Sequence, residues 1–97
     1  MKKVLKNTRK TQKYLDSCKK IYAVFLWAKF GIREVAWSGK FEDGEPLVYE
    51  YYDANGERDE YRLMPVSKIS SGGFVGWYLT KEVAEWLCNK LNGGSND

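Results

Sequence analysis

Residues 33–64, REVAWSGKFEDGEPLVYEYYDANGERDEYRLM, hold two copies of one short pattern, and that pattern decides the architecture expected of the chain. Phe41-Glu42-Asp43-Gly44-Glu45 and Asp53-Ala54-Asn55-Gly56-Glu57 each place Asp or Asn directly before Gly. This composition suits a three-residue hairpin loop, in which a type I turn ends on glycine in the left-handed region, with a two-residue loop on Asp-Gly or Asn-Gly as the alternative. The flanking residues arbitrate, because a one-residue slip turns every side chain of a strand to the other face. With Asp53 opposite Glu57, Tyr49 meets Tyr61 and Leu47 meets Leu63, whereas two-residue closure sets Tyr49 against Arg62. The same rule in the first hairpin puts Phe41 opposite Glu45, Trp37 opposite Tyr49 and Val35 opposite Tyr51. The prediction is a three-stranded antiparallel meander over about 33–41, 45–53 and 57–64. Its inner face carries Val35, Trp37, Leu47, Tyr49, Tyr61 and Leu63.

Upstream, Thr8 is placed to cap a helix, and Tyr14, Leu15, Cys18, Ile21, Tyr22, Phe25 and Leu26 recur at three- and four-residue steps. One helix over about 9–30 follows, stopped by Gly31, where a left-handed backbone is easily adopted. The competing reading ends the helix at Lys20 and makes Ile21–Ala28 a buried strand, which its β-branched and aromatic residues suit. Periodicity alone leaves residues 21–28 open between the two. On the helical reading Ala23, Val24, Trp27 and Ala28 form a second apolar face, covered by the rest of the domain or by another protein.

Downstream, Pro65 ends the third strand, Ser67–Gly73 is a loop rich in serine and glycine, and Phe74–Leu79 reads as a short fourth strand. Thr80 caps a helix over about 81–92, with Glu82 in its first turn, Gly93 past its end and a buried stripe of Val83, Ala84, Leu87, Cys88 and Leu91. The expected fold is α+β: an N-terminal helix, a three- to four-stranded antiparallel meander and a C-terminal helix, with the helices packed on one face of the sheet. Residues 1–7 are expected to be a flexible basic arm, 8–93 a single domain and 94–97 a disordered tail.

The 97-residue length fits one core, and a content of 43% hydrophobic and 15% aromatic residues supplies the side chains to fill it. Eight apolar residues at 21–28 are too few to span a bilayer, and no secretory signal is visible, so a cytoplasmic protein without membrane contact is expected. The two cysteines, Cys18 and Cys88, fall in apolar patterns and suit reduced, buried thiols better than a disulfide.

Histidine is absent, which removes the commonest general base and metal ligand, serine triads and Cys-His dyads. Two cysteines seventy residues apart are too few soft ligands for a structural zinc site, and neither Gly72-Gly73 nor Gly93-Gly94 has phosphate-loop spacing. The one catalytic constellation left is Glu50 with Glu60 on the outer face of the second hairpin; the flanking Arg58 and Arg62 make ion pairing the simpler expectation. No enzymatic activity, cofactor or metal is expected.

Two binding functions remain. In the first, the chain contacts another protein or a second copy of itself through aromatic and apolar residues not assigned to the core, with Trp27, Val24, Tyr52, Trp77 and Trp86 as candidates. Small regulators and inhibitors carried by phages or mobile elements have this size. An acidic surface of Glu42, Asp43, Glu45, Glu57, Asp59 and Glu60 would suit a basic groove. The second function uses charge asymmetry: residues 1–20 carry a net +7 and the remainder −4. Arg9, Lys10, Lys13 and Lys20 are then candidate phosphate contacts on a nucleic acid. The modest total charge of +3 weighs against a dedicated nucleic-acid binder.

Overall fold

The computed structural model describes residues 4–94 as an α+β domain built on one antiparallel sheet of six strands. In chain order the elements are β1 (Val4–Lys6), α1 (Arg9–Ser17), β2 (Lys20–Leu26), β3 (Phe30–Glu42), β4 (Glu45–Tyr52), β5 (Glu60–Pro65), β6 (Gly73–Tyr78) and α2 (Lys81–Leu91). Their order across the sheet is β1-β5-β4-β3-β2-β6. Of the segment expected to be a flexible arm, residues 4–6 form β1, paired with β5, and residues 1–3 lie outside the described residues. The expected disordered tail falls, but for Gly94, outside them as well.

The long first helix is corrected to a nine-residue helix followed by a strand. Thr8 does cap α1, its hydroxyl accepting from the Thr11 N–H at 3.1 Å. The helix stops at Ser17, whose hydroxyl donates to the Tyr14 carbonyl at 2.6 Å. Beyond it Ile21, Tyr22, Val24 and Phe25 favour extended backbone, and a sheet that buries β2 between β3 and β6 completes a ladder on both sides of it. A central strand buried on both faces needs no polar alternation, which is why its apolar run also fitted a helix. Gly31, expected to stop the helix, instead lies in β3 beneath the Trp27 indole; a Cβ there would stand 2.7 Å from the ring.

The hairpin registers also differ from expectation. Glu42 pairs with Glu45, so the first loop is the two-residue Asp43-Gly44, both at positive φ (52° and 81°). Nearer the domain centre, Trp37 faces Val48 and Ala36 faces Tyr49; the ladder shifts between Trp37 and Phe41, where Gly39 sits at φ 85°. A bulge thus absorbs the mismatch between turn and core. In the second hairpin Tyr52 pairs with Glu60, leaving a seven-residue loop, so that Tyr49 faces Leu63 and Tyr51 faces Tyr61. This displacement is even, which leaves each side chain on its expected face.

The predicted inner face therefore divides. Val35 and Trp37 join Ile21, Ala23, Phe25 and Val48 on one side of the sheet, closed by Val66 and Ile69 from the 66–72 loop together with Met64 and Trp77. On the other side Val24 packs with Ala84 and Cys88 of α2, and Tyr49 meets Tyr14 of α1 edge-to-face at 5.8 Å. The helices thus sit differently from the expected pair sealing the main core: that core is closed by a loop, and α1 is a crossover between β1 and β2. Both cysteines are free, and burial pushes the Cys88 thiol pKa up. No helix among the described residues is long and apolar enough to cross a membrane.

Candidate protein-contact surface

The chain from Gly73 to Leu91 exposes Phe74, Val75, Leu79, Val83, Trp86 and Leu91. β6 is a sheet edge, and among the described residues the backbone of Phe74–Tyr78 bonds only to β2. Its sequence, GFVGWY, contains no charge and no proline, two of the usual protections of an edge strand. A bulge at Val75 interrupts the ladder, and Val75 is exposed. The opposite edge, β1, has three residues, and its Lys6 is turned to Glu60 at 3.8 Å.

α2 follows β6 after the two-residue link Leu79-Thr80, with the Thr80 hydroxyl accepting from the Val83 N–H at 3.3 Å. Its inner stripe is Ala84, Leu87 and Cys88; Val83 and Leu91, expected in that stripe, are exposed. One flank turns toward β3: Asn92 bonds both the N–H (2.8 Å) and the carbonyl (3.0 Å) of Phe30, while Glu85 and Asn89 line a recess with Phe30 and Ile32. At 3.6 residues per turn, Val83 and Lys90 lie on the flank away from β3, while Trp86 lies nearly opposite the Ala84-Leu87-Cys88 stripe and so faces away from the sheet. Leu79, Val83 and Trp86 are 58%, 47% and 59% exposed, and the Lys90 ammonium stands 5.6 Å from the Trp86 ring centre. Leu79 and Val83 carry no polar group, so nothing in their own chemistry offsets this exposure.

The other sequence-derived candidates are dispersed. Trp27 closes the β2–β3 turn, stacked on Phe25 at 5.5 Å, its indole N–H donating to the Ser70 hydroxyl at 2.8 Å. Val24, placed on an outer face by the helical reading, is wholly buried under α2. Trp77 is half-buried against the larger core. Tyr52 lies on the far half of the sheet under Arg62, 3.7 Å from ring to guanidinium. Trp86 is the one candidate within the exposed corner. Its neighbours Leu79 and Val83 were missed because helical spacing assigned Val83 to the buried stripe and Leu79 to the strand.

Among the basic candidates, Arg9, Lys10 and Lys13 are exposed along α1. Lys20 is engaged: its ammonium donates to the Leu15 carbonyl (2.8 Å) and the Cys18 carbonyl (3.1 Å), satisfying the carbonyl end of α1. A groove of about 340 Å³ opens beside this helix, lined by Leu5, Thr8, Lys10, Thr11, Tyr14 and Tyr49. Tyr14 ionises above the usual phenol range, chiefly because its hydroxyl is bonded to that of Tyr49 at 3.2 Å.

Half of the acidic surface is used internally. A carboxylate oxygen of Glu45 accepts the Ser67 N–H at 3.0 Å, and Glu60 is buried against Arg62 at 2.9 Å. Asp59 accepts from the Tyr51 hydroxyl (2.6 Å) and the Asn7 amide (3.0 Å), and these bonds, the first above all, lower its carboxyl pKa. Only Glu42, Asp43 and Glu57 of the six lack such a partner among the described residues. Glu50 pairs with Arg33 at 2.7 Å, so each member of the suspected carboxylate pair faces its own arginine.

No protein-family model matches the chain, and neither a curated protein nor a solved structure proves similar to it.

Proposed function

We propose that the chain is a small non-enzymatic protein-binding module, acting in the cytoplasm as a regulator or inhibitor, whose contact surface is the β6 edge with the Leu79-Val83-Trp86 flank of α2. The observation that carries this reading is an uncharged strand edge followed directly in the chain by three large exposed apolar side chains. An open edge offers backbone hydrogen bonds, and an apolar flank with a tryptophan offers a hot spot; strand-addition interfaces combine these elements. The alternative, nucleic-acid binding, rests on Arg9, Lys10 and Lys13 of α1. It is weakened because Lys20 serves the end of its own helix and Lys6 faces Glu60.

Photo-crosslinking in cells that express the full chain tests the proposal. A benzophenone side chain at position 86 is expected to trap protein in an adduct that Val83→Glu abolishes, while the same probe at position 13 gives none. An empty result at position 86, or retention of DNA or RNA at low salt that Lys10→Glu and Lys13→Glu remove, refutes it.

A further inference from the structure

We infer that the groove beside α1 is a binding site for a small aromatic carboxylate, separate from the β6–α2 surface. Its volume of about 340 Å³ lies at the lower end of the ~300–1,000 Å³ usual for small-molecule sites. Three elements wall it. Leu5 comes from β1 and Tyr49 from β4, while Lys10, Thr11 and Tyr14 stand within about one turn of each other along α1, with Thr8 at its cap. Gln12 ties the helix to the Tyr61 hydroxyl at 2.8 Å and Tyr14 ties it to Tyr49, so the walls are held at a fixed spacing.

The hydrogen bonds inside the groove fix the sign of the ligand. Thr8 donates its hydroxyl hydrogen to the Thr11 hydroxyl at 3.1 Å and accepts the Thr11 N–H, which leaves the Thr11 hydroxyl hydrogen free. The Tyr14 and Tyr49 hydroxyls share one hydrogen bond at 3.2 Å, so one of their two hydrogens is free as well. Tyr14 ionises above the usual phenol range and stays protonated throughout the neutral region. Lys10 adds an ammonium that forms no salt bridge among the described residues, and no Asp or Glu lines the groove. The free polar hydrogens therefore face no acceptor, and a carboxylate supplies both acceptors and the opposite charge. The remaining lining selects the body of the ligand. Leu5 is apolar, and the Tyr14 and Tyr49 rings meet edge-to-face at 83°, which leaves ring surface against which a third aromatic group packs. Inorganic phosphate or a nucleic-acid backbone has the charge but nothing to place on this apolar wall.

Titration of the isotope-labelled full chain with naphthoate, followed by amide chemical shifts, tests the inference. A dissociation constant of about 1 mM or below is expected, with the shifts centred on Thr8–Tyr14 and Tyr49. The neutral analogue naphthalenemethanol supplies the ring without the charge, and inorganic phosphate the charge without the ring. Each is expected to bind at least about tenfold more weakly. Lys10→Met is expected to raise the naphthoate constant about tenfold and Thr11→Val about fivefold, as loss of a charged and of a neutral hydrogen bond does. Circular dichroism of each variant separates lost binding from lost folding, and the exposed Lys10 side chain is not needed for the fold. No shift at the groove, shifts scattered over the whole surface, equal binding of the alcohol, or a Lys10→Met chain that binds as wild type does overturns the inference. The protein-binding reading is tested at position 86 and stands or falls separately.

Discussion

Val24→Ala separates the strand from the helix that the same residues also suit. Val24 is fully buried between the sheet and α2, against Ala84 and Cys88. Truncation removes two methyl groups at roughly 0.8 kcal/mol each. It also leaves a void of about 40 Å³, which at ~24 cal/mol per Å³ adds about 1 kcal/mol where the surroundings do not collapse. The expected loss is therefore about 2–3 kcal/mol, a large part of the ~5–15 kcal/mol available to a domain of this size. It corresponds to a fall in Tm of roughly 10–20 °C. Leu26→Ala is the companion measurement. Leu26 is well exposed at the end of β2, so its truncation costs about 1 kcal/mol, whereas on a 9–30 helix it would lie in the buried stripe and Val24 outside it. Urea unfolding followed by circular dichroism measures both, with an unchanged m-value as the sign that only stability has moved. Val24→Ala within ~0.5 kcal/mol of wild type, or a cost for Leu26→Ala exceeding that for Val24→Ala, refutes the placement of β2.

Gly72→Ala is expected to destabilise by about 1–3 kcal/mol, because the new methyl group cannot fit beside the Trp27 indole without a shift. Its Cβ would stand 2.6 Å from Nε1 of Trp27 and 2.9 Å from the Leu26 carbonyl oxygen. The assigned Trp27 indole N–H resonance should move, and an unmoved resonance at unchanged stability refutes the packing. The Tyr51–Asp59 contact predicts an alkaline effect. Tyr51 is pushed up to about 12, first by its hydrogen bond to Asp59 and then by burial and nearby carboxylates. A phenol whose folded pKa is raised contributes stability in full below its unfolded pKa of about 10, and that contribution is lost as pH rises through about 12. Asp59→Ala should return Tyr51 most of the way to the ordinary value in an ultraviolet pH titration; an unchanged titration removes the contact.

The local elements were legible where one residue dictates its own neighbourhood. Thr8 and Thr80 cap the helices that follow them, Asp43-Gly44 makes a turn, and Pro65 ends a strand, because each effect acts within a few bonds. The antiparallel order β3-β4-β5 was readable for the same reason. Leu79 and Val83 escaped notice because exposure depends on which flank of α2 meets the sheet, and Trp86 was found only as an aromatic without a place in the core.

By itself, then, the sequence determined an α+β chain with a central antiparallel meander and a capped C-terminal helix, since hairpins and caps are local. Only tertiary structure decided that Ile21–Phe25 is a central strand: it pairs with Gly31–Val35 on one side and with the strand at Phe74–Tyr78 on the other. The split of the core between two faces was likewise a global outcome. The register that packs Trp37 beside buried Val48 is bought with a bulge at Gly39, and no turn signal encodes that exchange. Local chemistry names the elements, but the burial shared among distant ones chooses their pairing, and with it which apolar side chains are left facing outward.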